Sequence, residues 1–149
     1  MTFTRTAIVV GVMLGALIGL GAYTFLYARG ASYLTNDPAA CVNCHVMREQ
    51  YDGWTASSHR GVAVCNDCHA PHDLIGKYVT KARNGFWHSF YFTFGGYADP
   101  IQMTPTNAAV TENACRTCHA DIVMAIDTRP RQHRTLACVP CHRNVGHLH

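Results

Sequence analysis

Four short motifs of the form C-x-x-C-H account for all eight cysteines of this 149-residue chain. Two thiols at this spacing form thioether bonds to the edge of a porphyrin, and the histidine that follows can bind the iron. The motifs therefore predict four c-type haems and leave no cysteine for a disulfide. In chain order, the four haem motifs contain Cys41, Cys44 and His45; Cys65, Cys68 and His69; Cys115, Cys118 and His119; and Cys138, Cys141 and His142.

Zinc is the competing interpretation, because two neighbouring C-x-x-C pairs can also form a structural zinc site. A zinc site of that kind does not need the histidine that follows each pair. In a chain with 10 histidines, chance would rarely place one at all four of these positions. We therefore predict haem attachment and no structural zinc.

The first motif continues to a methionine and so offers two candidate iron ligands, His45 and Met47. Both lie on the same short tether, so they compete for one face of the first haem. No convincing residue claims the other face. We expect a substrate to approach the haem from that open face.

Six histidines lie outside the motifs and are the candidate second ligands of the other haems. His59 lies between the first two motifs, and His147 lies beyond the last one, so each is better placed to serve a haem other than its nearest. His72 follows His69 closely and is expected to stay on the proximal side. The remaining three are His88, His133 and His149.

An uncharged apolar run from Ala7 to Tyr27 precedes the motifs. It is long enough to cross a membrane as a helix, which takes about 20 residues. A cleaved signal peptide is the alternative, but no clear A-x-A site closes the run. We expect an anchor over residues 1–29, with a transmembrane helix at about 7–27. Its glycines at 11, 15 and 19 permit close helix approach and self-association, although glycine is common in such helices.

Residues 30–149 are expected to form an extracytoplasmic haem domain, because c-type haem is attached outside the cytoplasm. The amino terminus would then be cytoplasmic, the anchor would lie in the inner membrane, and the haem domain would face the periplasm. Leu, Ile, Val and Phe are sparse, so a core of side chains alone would be thin. The predicted fold is mostly α and irregular, with one transmembrane helix and a small cytochrome c domain whose core is four haems.

Two segments of the haem domain carry local signals. Asp37 and Pro38 are typical of a helix start and would lead into the first motif. The stretch from Lys77 to Phe94 is the only other long one expected to be helical, with Gly95 and Gly96 ending it and Pro105 in the loop that follows. Its many aromatic residues predict either core packing or a helix at the membrane interface. The net charge of +3 comes from scattered residues, so nucleic-acid binding is not expected.

The residues resemble the NapC/NirT family of tetrahaem cytochromes, in particular its small membrane-anchored subunits of cytochrome c nitrite reductase. The resemblance rests on the anchor, on C-x-x-C-H-x-M ending at Met47, and on the segments from Cys65 to His72 and from Cys141 to His147. It implies oxidation of menaquinol or ubiquinol and electron transfer to a periplasmic pentahaem nitrite reductase that forms ammonia.

The resemblance also implies roles for individual residues. Met47, in preference to His45, would bind the first haem, and Lys81 matches a family lysine near the quinol pocket. The family's acidic residue there is not clearly present: His88 takes its place without a gap and Asn84 with a one-turn shift. His88 titrates near neutral pH and would suit a proton acceptor. The other implied ligands are His69 for the second haem, completed by a lysine of the catalytic subunit, His119 with His147 for the third, and His142 with His59 for the fourth.

Two other functions stay open from the sequence. A free-standing reductase of nitrite or hydroxylamine at the open first haem would need basic side chains around it, and Arg48 is the charged base adjacent in sequence. A passive membrane-tethered electron shuttle would need four six-coordinate haems within this chain.

Overall fold

The chain is mostly helical in the computed structural model, which describes residues 2–127 and 136–147. No β-strand occurs in these ranges, so the predicted fold class is confirmed. The chain divides into two compact units, Met1–Ser32 and Tyr33–His149. The α-helices are α1 (Thr2–Tyr27), α2 (Arg48–Thr55), α3 (Cys65–His69), α4 (Leu74–Phe94), α5 (Pro105–Cys118) and α6 (Ala120–Asp127). Short 3-10 helices cover Gly30–Leu34, Pro38–Asn43 and His45–Met47.

Helix α1 has the length and composition of a membrane span. From Phe3 to Tyr27 its mean hydropathy is 2.1, and none of this span is buried within the protein. At 1.5 Å per residue, its 25 residues exceed the roughly 30 Å of a bilayer's hydrocarbon core. The helix fits a membrane anchor and begins several residues before the expected start at about residue 7.

Helix α4 begins three residues earlier than the expected Lys77. The carboxylate of Asp73 accepts a hydrogen bond from the backbone N–H of Gly76, which caps the helix before Leu74. The predicted end is confirmed, because Gly95 and Gly96 have φ angles of 80° and 96°. These lie in the left-handed region that glycine adopts at little cost.

The aromatic residues of α4 stack on one another at the surface of the chain. The rings of Phe90 and Phe94 lie 4.9 Å apart, and those of Trp87 and Tyr91 lie 5.5 Å apart, between centroids. Phe86 is 62% exposed and Phe94 is 75% exposed. Core packing therefore does not account for this stripe, and the membrane-interface interpretation is favoured.

Helix α5 was not expected from the sequence, which placed Pro105 in a loop. Pro105 is instead the first residue of the helix, where its missing N–H costs nothing. The hydroxyl of Thr104 caps the helix by accepting a hydrogen bond of 3.3 Å from the backbone nitrogen of Asn107. The helix ends at Cys118, so it carries both cysteines of the third motif.

The described part of the chain has almost no side-chain core. Its buried apolar residues are Ala70, which follows the second motif, and Ala114, which precedes the third. Helix α3 packs against α5 in this region. No large side chain is fully buried among the described residues. A unit of this size needs further apolar material to fill its interior, as haem macrocycles would do.

Candidate haem centre

Each haem motif forms a turn of helix or a comparable turn. The first lies in Pro38–Asn43 and the residues after it, where the side chain of Asp37 accepts a hydrogen bond of 2.9 Å from the backbone of Ala39, as predicted. The second is α3, and the third ends α5. In the fourth, the backbone nitrogen of His142 donates to the carbonyl of Cys138 at 3.0 Å. In a helical turn, residues three apart lie on one side, so both thiols can reach one porphyrin edge.

The first and second motifs are in contact through their leading cysteines. The thiols of Cys41 and Cys65 share a hydrogen bond, which lowers the pKa of Cys41 to about 7 and raises that of Cys65. The short helix at Pro38–Asn43 also packs against α3. The attachment points of the first two haems are therefore neighbours in space.

The second motif is next to the third, and the third is next to the fourth. Burial raises the pKa of the Cys68 thiol, and its neighbours Cys115 and Cys118 raise it further. Burial and the adjacent Glu112 raise the pKa of Cys138 to about 11, with a smaller contribution from Cys115. The four motifs thus follow one another in space in the same order as in the chain.

Glu112 of α5 fixes the fourth motif beside the third. Its two carboxylate oxygens accept hydrogen bonds from the backbone nitrogens of Cys138, at 2.8 Å, and Val139, at 2.9 Å. Burial would raise the pKa of Glu112, but these hydrogen bonds lower it, so the carboxylate stays ionised. The sequence carried no local signal for this role, because the bonded residues are far apart in the chain.

His147 lies beside His69 of the second motif. The ring centroids are 5.9 Å apart, and the planes are inclined by 33°. The Nδ1–H of His147 donates to the carbonyl of Gln50 at 2.8 Å, which leaves Nε2 for a metal. Burial and the neighbouring His147 lower the pKa of His69 to about 4. His69 is therefore a neutral imidazole, the form that binds metal ions.

His59 lies beside His119 of the third motif in a similar way. The ring centroids are 6.1 Å apart and the planes are inclined by 75°. The Nδ1–H of His59 donates to the carbonyl of Val145 at 2.9 Å. In both pairs, the histidine outside the motif is thus oriented by a backbone carbonyl, an arrangement common among metal-binding histidines.

Both distances fit two imidazoles that bind one metal ion from opposite sides. Each metal–nitrogen bond is about 2 Å long, so the two ring centroids would lie about 6 Å apart. The residues present therefore fit haem iron as the bound group. The grouping differs from the one that the resemblance implies, which joins His147 to the third haem and His59 to the fourth.

The remaining histidines are placed less closely. The Nε2–H of His72 donates to the carbonyl of Asp67 at 2.9 Å, so His72 stays beside its own motif as expected. His142 is exposed and makes no contact with another histidine ring among the described residues. An open cavity of about 620 Å³ lies beside it, lined by residues 56–58 and 140–145. Pockets of about 300–1,000 Å³ hold cofactors and other ligands. His133 and His149 lie outside the described residues.

The first motif distinguishes its two candidate ligands by exposure. His45 is exposed, whereas Met47 is half-buried, and both lie in the short helix His45–Met47. A side chain that binds the iron must face the porphyrin attached to Cys41 and Cys44. The burial of Met47 agrees with that orientation better than the exposure of His45 does.

Lys81 connects α4 to the segment that leads into the first motif. It is 7% exposed, and its Nζ donates to the carbonyl of Thr35 at 2.6 Å and to Oδ1 of Asn36 at 3.1 Å. The side-chain amide of Asn66, in α3, donates to the same two oxygens. Lys81 therefore has a structural role near Cys41, whose charge also affects its pKa.

The other two expected pocket residues lie on the same face of α4 as Lys81. Oδ1 of Asn84 accepts a hydrogen bond of 3.3 Å from the amide of Asn107 in α5. Nδ1 of His88 is 2.9 Å from the hydroxyl of Tyr33. Of the two candidates for the family's acidic position, His88 is thus the one joined to the segment that precedes the first motif.

Comparison with known proteins gives a consistent result. The family model described as "NapC/NirT cytochrome c family, N-terminal region" matches residues 1–149. The cytochrome c-type protein NrfH of Wolinella succinogenes is 35% identical over 91% of this chain and 82% of its own length. The cytochrome c nitrite reductase subunit NrfH of Nitratidesulfovibrio vulgaris is 31% identical over 90% of this chain and 80% of its own length.

A solved structure is also similar. It is a chain in the crystal structure of the cytochrome c nitrite reductase NrfHA complex bound to the HQNO inhibitor. The TM-score is 0.67 at 29% sequence identity, with 92% of this chain and 90% of that chain covered. The fold and the c-type haem chemistry expected from the motifs agree with these matches.

Proposed function

Because this chain belongs to the NapC/NirT cytochrome c family, we propose that it is a membrane-anchored tetrahaem quinol dehydrogenase. It oxidises menaquinol or ubiquinol and passes the electrons to a pentahaem cytochrome c nitrite reductase that forms ammonia. The observation that carries this proposal is the unbroken series of haem motifs, in which Cys41 contacts Cys65, Cys68 lies beside Cys115, and Glu112 holds Cys138. Such a series suits electron transfer along the chain better than four separate reactions.

The haems, when attached, accept and release electrons one at a time. The protein's own residues hold the haems in order and define where each electron enters and leaves. Entry is at the first motif, where Met47 and His45 offer one ligand and leave the opposite face of the iron open. Exit is at the fourth motif, where His142 is exposed beside a cavity.

The ring distances support a specific set of iron ligands. Met47 binds the first haem, His69 with His147 the second, and His119 with His59 the third. His142 binds the fourth, whose other position is then left for a ligand from outside the described part of this chain. The position that the resemblance left open at the second haem thus moves to the fourth, where a lysine of the catalytic subunit would complete it.

The quinol site lies on the face of α4 that contacts the segment before the first motif. Lys81 and His88 on that face contact residues 33–36, and the thiols of Cys41 and Cys44 are close enough to Tyr33 to raise its pKa. A quinol bound there would be beside the first haem. The exposed aromatic residues of α4 suit a substrate that arrives from the bilayer.

The location follows from the anchor and the haem chemistry. Helix α1 holds the protein in the inner membrane with its amino terminus in the cytoplasm, and the haem domain faces the periplasm. Its small-residue stripe at Gly11, Gly15 and Gly19 is compatible with self-association inside the complex.

The experiment is a coupled assay in liposomes that contain a menaquinol. The full-length holoprotein and the nitrite reductase catalytic subunit together should oxidise the quinol and consume nitrite in fixed proportion. HQNO, the inhibitor bound in the similar complex, should stop both. Nitrite consumption by this chain alone would instead favour the free-standing reductase. If both proteins together left the quinol unoxidised, the proposed function would be wrong.

A further inference from the structure

Tyr33 and His88 form a hydrogen-bonded pair between two elements of the haem domain. The hydroxyl of Tyr33, in the short helix Gly30–Leu34, is 2.9 Å from Nδ1 of His88, in the middle of α4. The two rings lie 6.2 Å apart between centroids and are inclined by 54°. One nitrogen of the imidazole is thus fixed by a phenol, and the other nitrogen, Nε2, points to the opposite side of the ring.

The tyrosine ring is held against α4 as well as bonded to it. A Cβ at Gly85, one turn before His88, would lie 3.4 Å from the ring of Tyr33. The absence of a side chain at Gly85 therefore lets the ring approach the helix closely. Tyr33 is also a neighbour of the first motif, because the thiols of Cys44 and Cys41 both raise its pKa. The pair therefore lies near the point where electrons would enter.

We propose that Tyr33 is a positioning residue that holds His88 so that Nε2 of His88 takes the proton released by the quinol. This inference rests on the proposed quinol dehydrogenase function and identifies the group that replaces the family's acidic residue. In the protonated state, Nδ1–H of His88 donates to the hydroxyl oxygen of Tyr33. That hydrogen bond stabilises the imidazolium and keeps the ring from rotating.

The proton and the electrons leave the quinol by different routes. The O–H bond of the quinol breaks, an N–H bond forms at Nε2 of His88, and each electron passes to the first haem. His88 then releases the proton to water and returns to its neutral form. Repetition of these steps converts the quinol to the quinone, so protons and electrons balance.

The protonation states of the pair agree with this role. Burial lowers the pKa of His88 below its usual value, so the imidazole is neutral at pH 7 and free to accept a proton. Tyr33 is the titratable group that contacts His88 from another element. Burial raises the pKa of Tyr33 to about 12, so it stays a neutral phenol over the working range.

The test measures quinol-driven haem reduction as a function of pH. The full-length holoprotein in menaquinol liposomes is compared with its Tyr33→Phe, His88→Ala and double variants, and with Tyr97→Phe as a matched control. Tyr33→Phe should slow the reaction about 10-fold, and His88→Ala about 100-fold or more, in the range of general base catalysis. The rise in rate with pH should move to lower pH in Tyr33→Phe, because the imidazolium loses its acceptor.

Three controls separate positioning from a structural defect. Dithionite reduction, haem content and the high-spin signal of the first haem should be unchanged in Tyr33→Phe. The double variant should be no slower than His88→Ala, because the two residues act as a unit. A Tyr33→Phe rate equal to wild type, or effects that multiply in the double variant, would overturn the pair while leaving quinol oxidation intact. A wild-type protein that dithionite reduces but quinol does not would overturn the proposed function as well.

Discussion

The imidazole rings of His69 and His147 lie 5.9 Å apart, centroid to centroid, although the two residues come from opposite ends of the haem domain sequence. The carbonyl of Gln50 orients His147 by accepting its Nδ1–H at 2.8 Å. This geometry joins the carboxyl-terminal end of the described chain to the second haem motif. It is the basis for assigning His147 to the second haem.

Removal of His147 should free one coordination position of one haem. We expect His147→Ala to convert about one haem per chain from low spin to high spin, because the iron loses one of two imidazoles. Electron paramagnetic resonance of the oxidised holoprotein measures the change. His72→Ala is the matched control and should leave the low-spin signals intact. Unchanged low-spin intensity in His147→Ala would contradict the assignment.

Met47 should matter more to the first haem than His45 does. Met47 is half-buried and His45 is exposed, so only the methionine has the burial expected of a side chain that faces a porphyrin. We expect Met47→Ala to alter the high-spin signal more strongly than His45→Ala, provided that haem content is matched. Equal effects, or a larger effect of His45→Ala, would show that the histidine binds the iron.

Glu112 should stabilise the haem domain through the fourth motif. Its carboxylate accepts two backbone hydrogen bonds, and loss of such charge-assisted bonds costs about 2 kcal/mol. Glu112→Ala should therefore lower the urea midpoint of unfolding, and Glu112→Gln should lower it less. Glu49→Ala, at an exposed site in α2, is the control and should change the free energy of unfolding by about 0.5 kcal/mol or less. Equal midpoints for Glu112→Ala and Glu49→Ala would rule out the clamp.

Local signals in the sequence predicted much of the architecture. The C-x-x-C-H motifs and the apolar run indicated a haem domain on an anchor, and Asp37, Gly95 and Gly96 have the capping roles expected of them. Helix α5 was missed because its residues show no strong apolar period and Pro105 was taken as a loop residue. The cap at Thr104 was the signal that would have found it.

Contacts between distant residues were beyond the sequence. Glu112 bonds to Cys138, and Tyr33 bonds to His88, only because helices far apart in the chain pack together. Nothing in the spacing of His59 or His147 indicated which motif each would reach. The resemblance supplied one pairing, and the ring distances support another, so the ligand pairs stay predictions until the haems are observed.

The most direct test follows electrons through this chain in time. The full-length holoprotein in menaquinol liposomes is mixed rapidly with oxidised catalytic subunit, and haem absorbance of both proteins is recorded without oxygen. The account predicts that haems of this chain are reduced by quinol first, and that those of the partner are reduced afterwards and only when this chain is present. Direct reduction of the partner by quinol, or haems of this chain that stay oxidised, would contradict the central claim.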